Sequence, residues 1–210
     1  MLTLENTINH VRQVLDDDAA NRFSDDLLES AVRQAMARID ESLPRVLTAE
    51  LEVITGGRDQ SLTGVENCLY LIDLEAEKAP DGDLEYVYTL QDDTIQLHFN
   101  GTYVPQSGET LCLMIASRNT LSGLDDAETT SLPESVAAVL EYGTAGFACL
   151  QRAAAVAEAY GARPGESARL VEQSRFWLEQ CTNALQALKT LREFGYPLGF
   201  KLDAWDQKGG

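Results

Sequence analysis

Two histidines, four cysteines and several aspartate clusters are the side chains of this chain that could do chemistry. General acid–base work needs a histidine or carboxylate with a partner in hydrogen-bond reach. His10 falls near the end of an amphipathic helix, and His98 alternates with Leu97 and Phe99 on the far side of a strand. Nothing in the sequence pairs them, so both read as surface or structural histidines. Cys68, Cys112, Cys149 and Cys181 are widely spaced and form no C-x-x-C pair, which argues against a metal or redox site. They read as buried free thiols, and hence as a protein made in a reducing compartment. Residues Asp16 to Asp18, Asp25-Asp26, Asp92-Asp93 and Asp125-Asp126 lack the D-x-D-x-D-G spacing of a calcium loop. Each reads as a turn, a cap or a solvated face. Gly56-Gly57 has no lysine to make a phosphate loop, and no serine sits in a G-x-S-x-G elbow. The expectation is a non-enzymatic protein with no catalytic, cofactor-binding or metal residues.

The charge balance narrows the partners. The chain has 34 acidic and 16 basic residues, a net charge of −18 over 210 residues. Such a surface repels nucleic-acid phosphates and anionic membranes. It serves solubility, or it suits a protein that sits near DNA without adhering to it. With 44% apolar and 24% charged residues the chain is composed like a globular protein. The N-terminus has neither the basic region nor the apolar run of a signal peptide, and no stretch is apolar enough for a membrane span.

The elements read as helices, then strands, then helices. Leu4, Ile8, Val11 and Leu15 form one face of a helix over 3–15, which Asp16 to Asp18 end. Ser24 caps a second helix, with Asp25 and Asp26 in its first turn, Phe23 and Leu28 as a hydrophobic staple and Pro44 as its stop. Its stripe is Leu28, Val32, Ala35, Ile39 and Leu43. Between 47 and 117 the period becomes alternating, which predicts an antiparallel sheet of four to six strands. Asp92-Asp93 marks a turn there, and Asn100-Gly101 is a strong hairpin signal. Ser131 and Glu134 form a capping box, with Pro133 in the first turn, for a third helix to about 159. Its predicted stripe is Val136, Leu140, Gly143, Phe147, Leu150, Ala154 and Ala157, with Gly143, Ala145 and Gly146 permitting close approach of a neighbour. A fourth helix to about 194 carries Leu170, Ser174, Trp177, Cys181, Ala184, Leu188 and Leu191 on one face, so the last two helices form an antiparallel hairpin.

The fold class is therefore α+β, mainly α. Residues 1–46 and 131–194 make a helical bundle of two short N-terminal helices and a long C-terminal hairpin. Residues 47–117 are an inserted β-rich subdomain, 118–130 a polar linker, and 195–210 a tail. The tail contains Tyr196, Phe200 and Trp205 among Gly, Pro and Lys. It reads either as a frayed end or as an arm whose aromatics dock into a partner. Asp73, Glu75, Glu77, Asp81, Asp83 and Glu85 have only Lys78 as a local cation. They read as a solvated loop, or as the wall of a channel from which passing DNA is repelled.

The run from Val11 to Asp17, then Arg22-Phe23-Ser24-Asp25-Asp26-Leu27-Leu28, then Ala31 to Ile39, resembles the N-terminal helical pair of tailed-bacteriophage head-to-tail adaptor (neck) proteins. Leu132-Pro133-Glu134 and Val139-Leu140-Glu141-Tyr142-Gly143-Thr144-Ala145 are similar to the opening of that family's third helix, and Trp177 stands near the middle of the last long helix. The resemblance covers roughly two thirds of the chain in pattern. It implies a homo-oligomeric ring, usually of twelve subunits, below the portal protein in the virion neck, assembled in the host cytoplasm. It implies a passage for DNA without specific binding, and a platform for other neck or tail proteins. It makes Tyr196, Phe200 and Trp205 portal-docking anchors, and the sheet a contact for tail components or the neighbouring subunit. No cofactor and no membrane are implied. Low pI, modest size and mixed α/β content also suit an acidic cytoplasmic chaperone that binds a partner protein as a dimer.

Overall fold

The computed structural model describes residues 2–63, 65, 67–76, 84–91, 94–159 and 165–195, the last five in backbone only. The chain divides into two compact units, Met1–Leu43 with Thr120–Gly210, and Pro44–Asn119.

The first unit is helical. Helix α1 (Leu4–Val14) starts at Thr3, whose Oγ1 accepts from the Asn6 amide at 3.2 Å. Helix α2 (Asp25–Ser42) starts at Ser24, whose Oγ accepts from the Leu27 amide at 3.3 Å, with Asp25 and Asp26 beside the positive end of the helix dipole. Phe23 and Leu28 are buried in one cluster, as a staple requires. Helix α3 (Ala137–Glu158) opens later than its sequence suggests, because Pro133 first caps a 3-10 turn at Glu134–Val136. Helix α4 (Glu166–Gly195) lies antiparallel to α3: Gly143 meets Cys181, Gly146 meets Leu178, and Ser167 Oγ donates to the Ala153 carbonyl.

Gly143 and Gly146 set the helix spacing. A Cβ on Gly146 would lie 2.7 Å from Leu178 Cγ and 3.1 Å from the Leu178 amide nitrogen. A Cβ on Gly143 would lie 3.0 Å from the Ala35 Cβ of α2 and 3.3 Å from Cys181 Sγ of α4. Helix α3 is thus the central helix, and its small residues let two neighbours approach at once.

The stripe expected on α3 holds only in its first half. Val136, Leu140 and Gly143 are buried, but Leu150, Ala154 and Ala157 are exposed and Phe147 is half-buried. The buried set continues instead through Gly146, Cys149, Ala153 and Val156. A stripe stepping every 3.5 residues drifts about 20° per heptad around a straight helix, which is enough to leave the core. On α4, Leu170, Ser174 and Cys181 are buried as expected, Trp177, Ala184 and Leu188 are half-buried, and Leu185 joins the core. The side chain of Leu191 lies outside the described residues.

Residues 118–130, expected to be a linker, carry two core leucines. Leu121 and Leu124 are buried with Leu2, Met36 and Leu140. The Leu4 amide donates to the Ser122 carbonyl at 2.9 Å, and Thr130 Oγ1 donates to the Leu2 carbonyl at 2.7 Å. These bonds tie the N-terminal segment to the helical unit.

The second unit has six antiparallel strands: β1 (Arg45–Glu52), β2 (Asp59–Thr63), β3 (Cys68–Ala76), β4 (Tyr86–Gln91), β5 (Thr94–Phe99) and β6 (Thr110–Ser117). They form two three-stranded sheets, β1-β6-β3 and β2-β5-β4, rather than one. Both contribute to a single core containing Leu71, Leu74, Leu111, Leu113 and Ile115 from one sheet and Leu62, Ile95, Leu97 and Phe99 from the other. Gln91 pairs with Thr94, so two residues join β4 to β5; the expected turn Asp92-Asp93 lies outside the described residues. Asn100-Gly101 does not make a hairpin. The chain leaves β5 there and returns as β6 in the other sheet, and neither residue has the positive φ that a two-residue type I′ turn needs. The bend is held by Arg58 Nη1, which donates to the carbonyls of Phe99 and Gly101, both at 2.8 Å.

The glycine crossing makes a signed prediction. Gly146→Ala should raise intrinsic helix propensity by about 1 kcal/mol, yet destabilise the protein by about 1–3 kcal/mol through overpacking against Leu178. Urea unfolding followed by circular dichroism reads the sign, and a stabilised variant would show that the crossing opens freely.

Candidate functional site

The residues that carry the N-terminal resemblance converge on one buried network. Arg12 and Asp17 are almost wholly buried. Arg12 Nη1 lies 3.3 Å from Asp17 Oδ2 and donates to the Phe23 carbonyl at 2.8 Å, while Nη2 donates to Asp25 Oδ1 at 2.6 Å. Asp17 in turn accepts from three consecutive amides, Asn21 at 3.1 Å, Arg22 at 3.0 Å and Phe23 at 2.9 Å. Burial by itself would raise its pKa, but these bonds and the nearby Arg22 charge outweigh it and hold the carboxyl below its ordinary value. Arg22 Nη2 donates to the Leu15 and Asp16 carbonyls and so satisfies the C-terminal end of α1. The turn is tight enough to put Asp16 at φ 53° and Ala20 at φ 54°, both in the left-handed region. The middle aspartate of the run 16–18 is therefore a core residue and not part of a solvated turn. The available clue was Arg12, a cation next to Val11 on an apolar helix, which needs a buried anion.

Asp73 and Glu75 lie on β3 and are exposed, cross-strand from Met114 and Cys112. Glu85 precedes β4 in the other sheet, where its side chain packs near Gly101. Glu77, Asp81 and Asp83 lie outside the described residues, as do Tyr196, Phe200 and Trp205.

Both histidines have carboxylate partners that are remote in sequence. His10 Nδ1 is 2.9 Å from Glu141 Oε1, joining α1 to α3. His98 Nδ1 is 2.5 Å from Asp59 Oδ1, directly opposite it in the β2–β5 register. Each pair is open to solvent on the histidine side, so it behaves as a screened surface pair. The His98 pair lies beside Val87 in a solvent-open depression of the sheet face that Ser61, Thr89 and Gln96 also line.

A second buried carboxylate organises the loops of the β unit. Glu109 is fully buried; Tyr103 donates its hydroxyl to Oε1, and the Gln106 amide donates to Oε2 at 2.9 Å. Burial, and then Glu109 itself, push the Tyr103 pKa well above that of a free phenol. The loop it shapes is bonded to the 53–57 turn through Val53 to Glu109, Gly108 to Val53, Gly57 to Pro105, and Ser107 Oγ to Ile54. Of the thiols, Cys149 and Cys181 are buried and Cys68 and Cys112 half-buried. Burial pushes the Cys149 thiol up to about 11, which makes it a packing residue.

Among the described residues no group of three His, Cys, Asp or Glu side chains could hold a metal, and no helix is long and apolar enough to cross a membrane. The chain matches no protein-family model and no curated protein.

The Asp17 network has a pH signature. Because its folded-state pKa is depressed, Asp17 stabilises the fold fully above the unfolded-state value of about 3.9, and the effect fades as pH falls through the lower folded-state value. Asp17→Ala should cost about 3 kcal/mol at neutral pH by orphaning Arg12 and three amides. The gap between variant and wild type should narrow below about pH 4. Denaturation at a series of pH values measures it; a gap independent of pH would mean that lost packing, and not charge, dominates.

Proposed function

We propose that this protein is a non-enzymatic structural subunit of a tailed-bacteriophage neck. In this reading copies form a ring under the portal protein, of twelve subunits as is usual in the family it resembles. The ring extends the DNA channel and offers a platform for other neck or tail proteins. It is built in the host cytoplasm and ends in the virion.

One observation supports this reading above the rest. The residues that carry the resemblance are those that make the helical unit rigid. Arg12, Asp17, Arg22, Phe23 and Asp25 lock α1 to α2. Gly143, from the second matching segment, lies where α2, α3 and α4 meet. Trp177 stacks on Tyr142 with ring centroids 5.7 Å apart, pinning α4 to α3. A pattern made of packing and capping residues suits an assembly scaffold. The net charge of −18 suits a surface past which DNA moves without adhering. In this reading Asp73, Glu75, Glu77, Asp81, Asp83 and Glu85 face the channel.

The tail assignment rests on composition. Helix α4 runs to Gly195, and the aromatic residues Tyr196, Phe200 and Trp205 follow directly in the chain. In the proposed neck they dock into the portal.

Native mass spectrometry of the protein, alone and mixed with the portal protein encoded beside it, tests the reading. The expected result is a portal ring carrying a matching set of these subunits. A discrete dimer that ignores the portal would replace this reading with that of the acidic chaperone. Deleting residues 196–210 should leave the circular dichroism and melting of the protein unchanged and weaken portal binding at least about tenfold; full affinity in the truncated protein would remove the arm assignment.

A further inference from the structure

Strand β6 is apolar on both faces. Leu111, Leu113 and Ile115 point into the core of the β unit, none more than 3% exposed. The intervening Cys112 and Met114 point the other way. An antiparallel strand with one wet face normally alternates apolar and polar; a continuous apolar run belongs to a strand covered on both sides. Here the second face is open at Met114 and half-open at Cys112, while Ala116 beyond them is fully buried. Met114 is 36% exposed, and beside it on β3 Ile72 is 39% and Tyr70 45% exposed. Ile72 stands at a register irregularity between Leu71 and Asp73, which turns this residue outward without shifting Leu71 and Leu74 from the core.

Acids stand on both flanks of the Cys112–Met114 segment of β6, while Ile72 and Tyr70 continue the apolar surface along β3. Cross-strand from Cys112 are Glu50 on β1 and Glu75 on β3. Cross-strand from Met114 is Asp73 on β3, and Glu52 follows on β1 opposite Thr110. All four acids are exposed, and among the described residues none is in an ion pair with a lysine or arginine. No basic residue lies on the outward positions of these three strands. Two strand spacings separate β1 from β3, so the carboxylate rows stand about 10 Å apart, close to the diameter of one α-helix.

We infer that the outer face of the β1-β6-β3 sheet docks an amphipathic helix of a partner protein, one with an apolar stripe flanked on both sides by Lys or Arg. The stripe covers Met114, Ile72 and Tyr70, and the flanking cations pair with Glu50, Glu52, Asp73 and Glu75. A second copy set face to face here would bring the same four acids against these, which is repulsion and not complement. The inference does not rest on the neck reading, which gives the sheet to tail components or the neighbouring subunit without naming a face or the chemistry of what meets it.

The test uses the full chain and a fluorescent designed peptide of about 18 residues with a leucine stripe flanked by lysines, followed by anisotropy at two salt concentrations. Wild type should bind it, with affinity falling as salt rises. The double variant Ile72→Ser/Met114→Ser leaves net charge unchanged and should lose at least about tenfold in affinity. The set Glu50→Gln, Glu52→Gln, Asp73→Asn and Glu75→Gln should do the same. A control neutralising Asp26, Glu128, Glu172 and Glu179, equally exposed but in the helical unit, should change binding much less. Bound peptide should also slow alkylation of Cys112, which lies in the strip. Equal losses from the sheet set and the control, or no loss from the serine variant, would mean general attraction to an acidic protein and would overturn the assignment. Circular dichroism of each variant confirms folding, and a serine variant that fails to fold leaves the Cys112 footprint to decide.

Discussion

Backbone-level contact between helices is the constraint on which the helical unit depends. At Gly146 there is no room for a β-carbon before Leu178, and at Gly143 the space is shared between Ala35 of α2 and Cys181 of α4. Two glycines inside a helix lower its intrinsic stability by about 1 kcal/mol each. Here they allow α3 to bury nearly all its circumference over its first half, with Ala145, Ala148 and Cys149 filling the remaining sides. The small thiols and alanines at the crossing follow from that spacing, since larger side chains would force the helices apart. Where the glycines end, the packing loosens, and Leu150 and Ala154 reach solvent.

Both units solve their irregular segments in the same way, with a buried carboxylate acting as an acceptor hub. Asp17 gathers the amides of 21–23 and the Arg12 guanidinium, and so fixes the path from α1 into α2. Glu109 gathers the Tyr103 hydroxyl and the Gln106 amide, and so fixes the path from one sheet to the other. A loop that leaves regular structure has amides with no ladder to join, and burying them without acceptors costs about 1–3 kcal/mol each. A carboxylate offers several acceptor sites from one side chain. The desolvation it suffers is offset because both of its oxygens find donors. These two turns therefore tolerate little substitution.

What the sequence made legible was local. The cap at Ser24, the stripes on α1, α2 and α4, and the change of period after Pro44 are all written in neighbours a few residues apart. The helical bundle with an inserted strand region followed from them. What it concealed was non-local. Leu121 and Leu124 sit among polar residues and resemble a linker until Leu2 and Leu140 pack on them. Asn100-Gly101 carries a hairpin signal, but β6 finds better partners in β1 and β3, where its apolar run can be buried. Strand β6 is flanked by β1 and β3, and β5 by β2 and β4, so β5 and β6, consecutive in the chain, lie in different sheets. The partners of His98 and His10 lie 39 and 131 residues away, a distance at which only strand register and helix packing decide.

The excess of acid is sharper on the surface than in the composition. Several of the few cations are turned inward to backbone carbonyls and buried acids. Arg12 reaches Asp17 and the Phe23 carbonyl, Arg22 reaches the end of α1, and Arg58 reaches the carbonyls of Phe99 and Gly101. Those arginines hold the fold together and so are less available to neutralise exterior carboxylates, among them the four that border the open strip on β6. A chain that directs its cations to its own turns leaves an outer surface that rejects polyanions and attracts basic protein segments. In the proposed neck this distribution keeps nucleic acid off the surface, and in the proposed docking it selects the protein that comes onto it. An acidic face with an apolar centre distinguishes those two classes by chemistry alone, since DNA offers nothing to bury against Met114 and Ile72, whereas an amphipathic helix does.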